Sequence, residues 1–184
     1  IDLKTDVDPG SYDYRNPYPD FVVAPGFIDS HNHADQTVFA GADADSMIMQ
    51  GVTTLLMGNC GMSSAPVNEK NRKMIYKKML RDVFESEDRI VWSSFAEYMN
   101  QLKTSDLVCN IATFVGHDAI RQAVIGGQER TINEEEGAKM VTLLEEALEA
   151  GALGLSTGLE FSPARIATYE ELKQLVQVVA DHDG

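Results

Sequence analysis

Gly26-Phe27-Ile28-Asp29-Ser30-His31-Asn32-His33 is the stretch on which the fold turns. An apolar run ends in a His-x-His pair. Read as a strand, it puts side chains two apart on one face. His31 and His33 then offer two imidazoles to one metal ion at the strand's carboxyl end. Parallel α/β folds build their sites at that end. The competing reading is a pair of ordinary hydrogen-bonded histidines. The chain holds only 4 histidines, and two of them fall here. Imidazole is a common ligand of divalent transition metals.

Outward from this stretch the pattern alternates. Phe21-Val22-Val23-Ala24 and the Pro25-Gly26 turn feed the first strand, Phe27–Ser30. Val52–Met57, bounded by Gly51 and Gly58, is the second strand; Leu107–Val115 is the third; Ala152–Ser156 is a short fourth. Near-continuous apolar runs of this kind suit strands covered on both faces. Helical patterns lie between them. Residues 68–89 carry a stripe of Met74, Ile75, Met79 and Val83. Ser94 with Glu97 is a capping box opening a helix through about Leu102. Asn133 with Glu136 opens another, with Met140, Leu144, Ala147 and Leu148 on one face and Gly151 at its end. Thr168 with Glu171 reads as a third box, with Leu172, Leu175, Val176 and Val179 inward. Strand–helix alternation implies βαβ units and a parallel sheet. Four units make half of a (β/α)8 barrel, which usually takes about 250 residues, or else a small open α/β sheet. Residues 1–20 read as an irregular, extended lead-in: Asp8-Pro9-Gly10-Ser11 is turn chemistry, and Pro17 and Pro19 stand among tyrosines.

Composition narrows the function. Over 184 residues, 29 acidic side chains face 15 basic ones, a net charge of −14. That balance disfavours nucleic acid and anionic membrane surfaces, which attract basic patches. Cys60 and Cys109 cannot form a disulfide framework, and low cysteine use fits a reducing, cytoplasmic compartment. No apolar run reaches the length of a membrane span. The first residues show no basic-then-apolar signal pattern. The chain starts at Ile1 rather than Met, as a processed product or an excerpt of a longer protein would.

Further candidates follow the later strands. Gly58-Asn59-Cys60-Gly61 comes directly after the second strand. If that strand neighbours the first, about 4.8 Å away, the Cys60 thiolate reaches the cavity of His31 and His33. Thiolate is a good zinc ligand; the bland reading is a buried free cysteine. Cys109, inside an apolar strand, reads as core. His117, in Gly116-His117-Asp118, stands at the third strand's end as a ligand, a substrate contact or a structural group, the last or a supporting role being favoured. Glu160, after the fourth strand, is a ligand, a substrate contact or an exposed loop acid. His182 reads as a solvated residue near a helix end. No dinucleotide-binding glycine motif, phosphate loop or Gly-x-Ser-x-Gly elbow occurs.

With these motifs assembled, the sequence resembles the N-acyl-D-amino-acid deacylase (D-aminoacylase) family of the amidohydrolase superfamily. The matching pieces are Val23 through Asp35, Gly51-Val52-Thr53-Thr54, Gly58-Asn59-Cys60-Gly61, Ala65-Pro66 and Phe95-Ala96-Glu97-Tyr98. Gly116-His117 with Arg121, and Gly151-Ala152 through Gly158-Leu159, complete the series. The resemblance implies the N-terminal half of a metal-dependent (β/α)8 TIM barrel over residues 21–184, with 1–20 as the end of a small β-domain segment. It implies hydrolysis of the amide of N-acyl-D-amino acids with zinc, one or two ions. His31 and His33 map to the family's His pair, and Cys60 maps to its cysteine ligand in the tighter site. Two further histidine ligands and the aspartate general base belong to the second half of the barrel, beyond Gly184, so the 184-residue piece alone is expected to be inactive. The implied partners are a small-molecule substrate and the rest of the barrel, in the same or another chain. Ala164 departs from a glycine common in the family. Two alternatives stay open: another amidohydrolase such as a dihydropyrimidinase-like cyclic amidase, and a non-catalytic half-barrel serving binding or assembly. The first normally carries a carboxylated lysine after strand four, and residues 152–163 contain no lysine.

Overall fold

Val52–Met57, with threonines and a valine among its apolar residues, forms β2 at the centre of the sheet. It pairs in parallel with β1 (Phe27–Asp29) on one side and β3 (Asn110–Thr113) on the other. A second parallel pair joins β4 (Val115–Gly116) to β5 (Leu155–Ser156). These positions come from a computed structural model that describes residues 24–40, 45–105 and 107–184. The lead-in over 1–20 and the segment Phe21-Val22-Val23 lie outside the described residues.

The expected third strand, Leu107–Val115, is two short strands that begin only at Asn110. The break is at Phe114, where the chain changes neighbours. The Phe114 N–H donates to the Met57 carbonyl at 3.0 Å, while that of Val115 donates to Gly154 at 3.0 Å. β3 and β4 thus hand the sheet over from β2 to β5. The first strand also departs from expectation. Phe27 and Ile28 are 63% and 68% exposed, because β1 is at the margin of the described sheet and has a neighbour only in β2.

The helices are α1 (Asp45–Ile48), α2 (Arg72–Ile75), α3 (Phe95–Thr104), α4 (His117–Ile125), α5 (Glu134–Glu149) and α6 (Tyr169–Asp181). Both capping boxes at Ser94 and Asn133 form in full. The helix expected over 68–89 is much shorter. Its start is replaced by a turn in which Asn71 Oδ1 accepts the Asn68 N–H at 2.7 Å. After α2 the chain widens into one π turn, Tyr76–Leu80. Ile75 and Met79 are buried as the stripe requires; Met74 and Val83 are half-buried. In α6, Leu175 is buried but Val176 is exposed, since only one side of the helix meets the described fold. The Thr168 box is half made. Thr168 Oγ1 accepts the Glu171 N–H at 3.2 Å, yet the Glu171 carboxylate points into the interior instead.

The core is led by aromatic residues. Trp92, 1% exposed, packs on Phe39 and Tyr98 with ring centroids 5.1 and 5.5 Å away. Its indole N–H donates to the Ser64 carbonyl at 2.7 Å. Met140 and Leu144 of α5 and Ile120 of α4 complete the layer beside the sheet. Cys109 is half-buried and packs against this core, which pushes its thiol pKa up. Among the described residues no helix is long and apolar enough to cross a membrane.

Candidate metal centre

His31 and His33 do not lie on β1 itself, which ends at Asp29. They occupy the bend after it, and His33 leads into a short 3-10 turn over Ala34–Gln36. Asn32 shapes that bend. Its side chain donates to the Asp29 carbonyl at 3.3 Å and accepts the Ala34 N–H at 3.0 Å. The two imidazoles still converge, with centroids 5.9 Å apart and ring planes at 75°. Turn geometry, rather than strand alternation, brings them together.

Cys60 arrives from β2 through Gly58-Asn59-Cys60-Gly61. Gly58 and Gly61 have φ of +73°, and Cys60 itself has φ of +57°. A non-glycine residue in that region costs on the order of 1–3 kcal/mol and persists only where its surroundings hold it. Asn59 ties the two loops together, donating to the Leu56 carbonyl at 2.8 Å and to the Asn32 carbonyl at 3.4 Å. Cys60 Sγ then lies 3.2 Å from His31 Nε2. One donor atom from each of His31, His33 and Cys60 falls within 4.8 Å of the others.

This set has the chemistry of a transition-metal site. Two imidazoles and a thiolate suit zinc and similar borderline ions, whereas magnesium and calcium favour oxygen. His33 Nδ1 is buried and has no hydrogen-bond partner among the described residues. Burial, and next the neighbouring His31, lower the His33 pKa, favouring the neutral form that binds metal. Asp35, two residues on, is buried with both carboxylate oxygens lacking full hydrogen bonds among the described residues.

Other candidates go elsewhere. His117 is fully buried at the start of α4 and is not part of the cluster. Its Nε2 meets Glu171 Oε1 at 2.8 Å. The same oxygen accepts from Arg121 Nε at 2.9 Å. Arg121 also donates to the Pro163 and Arg130 carbonyls. Burial pushes the Glu171 carboxyl up, but His117 and Arg121 outweigh it and hold it below its ordinary value. Glu160 stands exposed on its loop. His182 is exposed and engages the Val178 carbonyl at 2.8 Å through Nδ1. Sequence reasoning missed the Glu171 partnership, because a glutamate three residues after a threonine has the spacing of a cap.

The model of the amidohydrolase family matches residues 20–183. The chain belongs to the amidohydrolase family. Within it, this amidohydrolase chain is similar to the D-aminoacylase of Alcaligenes xylosoxydans xylosoxydans, 39% identical over 163 residues, covering 89% of this chain and 33% of that protein. A D-aminoacylase structure described for its binuclear metal center superposes with a TM-score of 0.76 at 35% identity, covering 87% of this chain and 33% of the other. The N-acyl-D-glutamate deacylase of Bordetella bronchiseptica, solved with zinc and a phosphonate mimic of the tetrahedral intermediate, gives 0.72 at 32% identity, covering 85% and 32%. The chain spans about a third of the length of these relatives.

Proposed function

We propose that this chain is the metal-holding first half of a (β/α)8 deacylase barrel that hydrolyses the amide bond of N-acyl-D-amino acids. The observation that carries the reading is the convergence of His31, His33 and Cys60 at the carboxyl ends of two adjacent parallel strands. Relatives that act on N-acyl-D-amino acids by name, one of them solved with zinc, support it. So does the parallel order of the strands.

In this reading His31, His33 and Cys60 hold one or two zinc ions. Zinc, when bound, supplies Lewis acidity toward a carbonyl and makes water acidic enough to attack near neutral pH. The chain's own residues position and hold. Asn32 and Asn59 lock the two ligand loops against each other. His117, Glu171 and Arg121 fix the start of α4 and the loop at Pro163. Glu160, exposed on that same loop, is free to meet a substrate. The general base that moves the proton to the leaving amine comes from beyond Gly184, as do the remaining ligands. Rest of barrel and substrate are the partners of this segment.

Zinc per chain, measured in the intact protein and in Cys60→Ala, tests the ligand set. Loss of zinc is expected, and unchanged occupancy would overturn it. Assay with N-acyl-D-amino acids should give turnover by the intact protein and none by the 184-residue segment alone. Turnover by that segment would refute a base beyond Gly184.

A further inference from the structure

Ser156 ends β5, far from the histidine and cysteine motifs in sequence, yet it grips the turn that presents Cys60. Its Oγ accepts the Gly61 N–H at 3.0 Å across a separation of 95 residues. The same hydroxyl donates to the Gly58 carbonyl. One side chain therefore spans both ends of Gly58-Asn59-Cys60-Gly61. The Gly61 carbonyl is held in turn by the Asp118 and Ala119 N–H groups at the start of α4, at 2.9 and 3.4 Å.

Packing leaves this turn little room. A Cβ on Gly61 would come 2.7 Å from the Gly158 nitrogen, and one on Gly158 would overlap the Cys60 carbonyl. A Cβ on Gly116 would overlap the Gly61 carbonyl. Steric walls restrict where the turn can go, and hydrogen bonds tie both of its ends, Ser156 making one at each.

We propose that Ser156 is a positioning residue for the metal centre, its hydroxyl setting the direction in which Cys60 Sγ meets His31 and His33. The inference rests on reading Cys60 as a metal ligand. Groups that orient metal ligands through hydrogen bonds are worth about 10- to 100-fold in affinity when removed. A cap that served only the fold would leave the metal's electronic environment unchanged.

The test uses the intact protein loaded with cobalt(II), whose thiolate-to-metal charge-transfer absorption reports the cysteine bond directly. Ser156→Ala should weaken cobalt binding by about 10- to 100-fold and lower that absorption per bound ion. Ser156→Thr, which keeps the hydroxyl, should restore both. Parental affinity and full absorption in Ser156→Ala would overturn the proposal. So would a threonine variant as impaired as the alanine one. Should Ser156→Ala not fold, Ser156→Thr against Ser156→Val compares equal shapes with and without the hydroxyl. Cys60→Ala separates the two levels. If it keeps the absorption, the ligand reading falls and the proposal with it. If it loses the absorption while Ser156→Ala keeps it, only the positioning role falls.

Discussion

Glu171→Gln removes one negative charge from a buried site without changing its size. Glu171 Oε1 accepts from both His117 Nε2 and Arg121 Nε, and the side chains of all three are at most 2% exposed. In the variant the Arg121 guanidinium stays buried and meets only neutral acceptors, the introduced amide oxygen and the Pro163 and Arg130 carbonyls. Breaking a buried ion pair by removing one partner costs about 3–5 kcal/mol. With a urea slope of about 1–3 kcal/mol per molar, a loss of that size moves the midpoint by roughly 2 M. The assay is urea unfolding at neutral pH, followed through Trp92, the single tryptophan. The exposed Glu135–Lys139 pair supplies the control: Glu135→Gln should leave the midpoint where it was. Acid adds a second signature. A carboxyl held below its ordinary value stabilises the fold above the unfolded pKa and loses that contribution as pH falls through the folded one. The parent should therefore lose more stability than Glu171→Gln below about pH 4. A destabilisation under about 1 kcal/mol, with no difference in acid, would show that the triad needs only hydrogen bonds and not the charge.

Three more outcomes are expected. Asn133→Ala removes the acceptor for the Glu136 N–H and should cost about 1 kcal/mol by thermal or urea unfolding; no loss would mean that the Glu136–Arg130 pair holds the helix start by itself. Burial pushes the Asp35 carboxyl up to about 7, with the amides of Asp35, Gly58 and Gln36 offsetting only part of it. The folded metal-free protein thus keeps a proton that the unfolded chain releases near pH 4, and its stability should fall between about pH 4 and 7; Asp35→Asn should flatten that fall, and equal slopes in urea midpoints would contradict it. Gly61→Ala places a side chain at φ +73° and against the Gly158 backbone. It should lower both the melting temperature and zinc content, whereas a protein with parental values would mean the turn yields freely.

The metal-ligand candidates were legible because the chemistry was local. A His-x-His at a strand end and a glycine-flanked cysteine after the next strand could be paired by assuming that the strands were neighbours, which β1 and β2 are, whereas the bend that brings the two histidines together was not foreseen. The Ser94 and Asn133 caps were legible for the same reason. Helix α4 was not legible: its polar and apolar residues fall on opposite faces, yet both faces are buried. Its polar members, His117, Asp118, Arg121 and Gln122, look like a surface segment until partners from other elements are known. Glu171 failed likewise: its spacing from Thr168 is that of a cap, and only the fold shows that a buried histidine and arginine compete for it. The exposure of Phe27 was hidden for the opposite reason, since strand composition cannot tell a central strand from a marginal one.

The grip of Ser156 on Gly58 and Gly61 also has a consequence for timing during synthesis. His31, His33 and Cys60 emerge early, but the hydroxyl that closes the Cys60 turn follows 95 residues after Gly61. At about 5–20 residues per second, translation takes roughly 5–20 seconds to cover that gap. During the interval the thiol is available without the bonds that fix its turn. If these residues hold metal as proposed, an ion captured then meets a more pliable site. An ion captured after β5 docks meets a shaped one. On the proposed reading of Ser156 and Cys60, the nascent chain gains the shape of its metal site late, from β5.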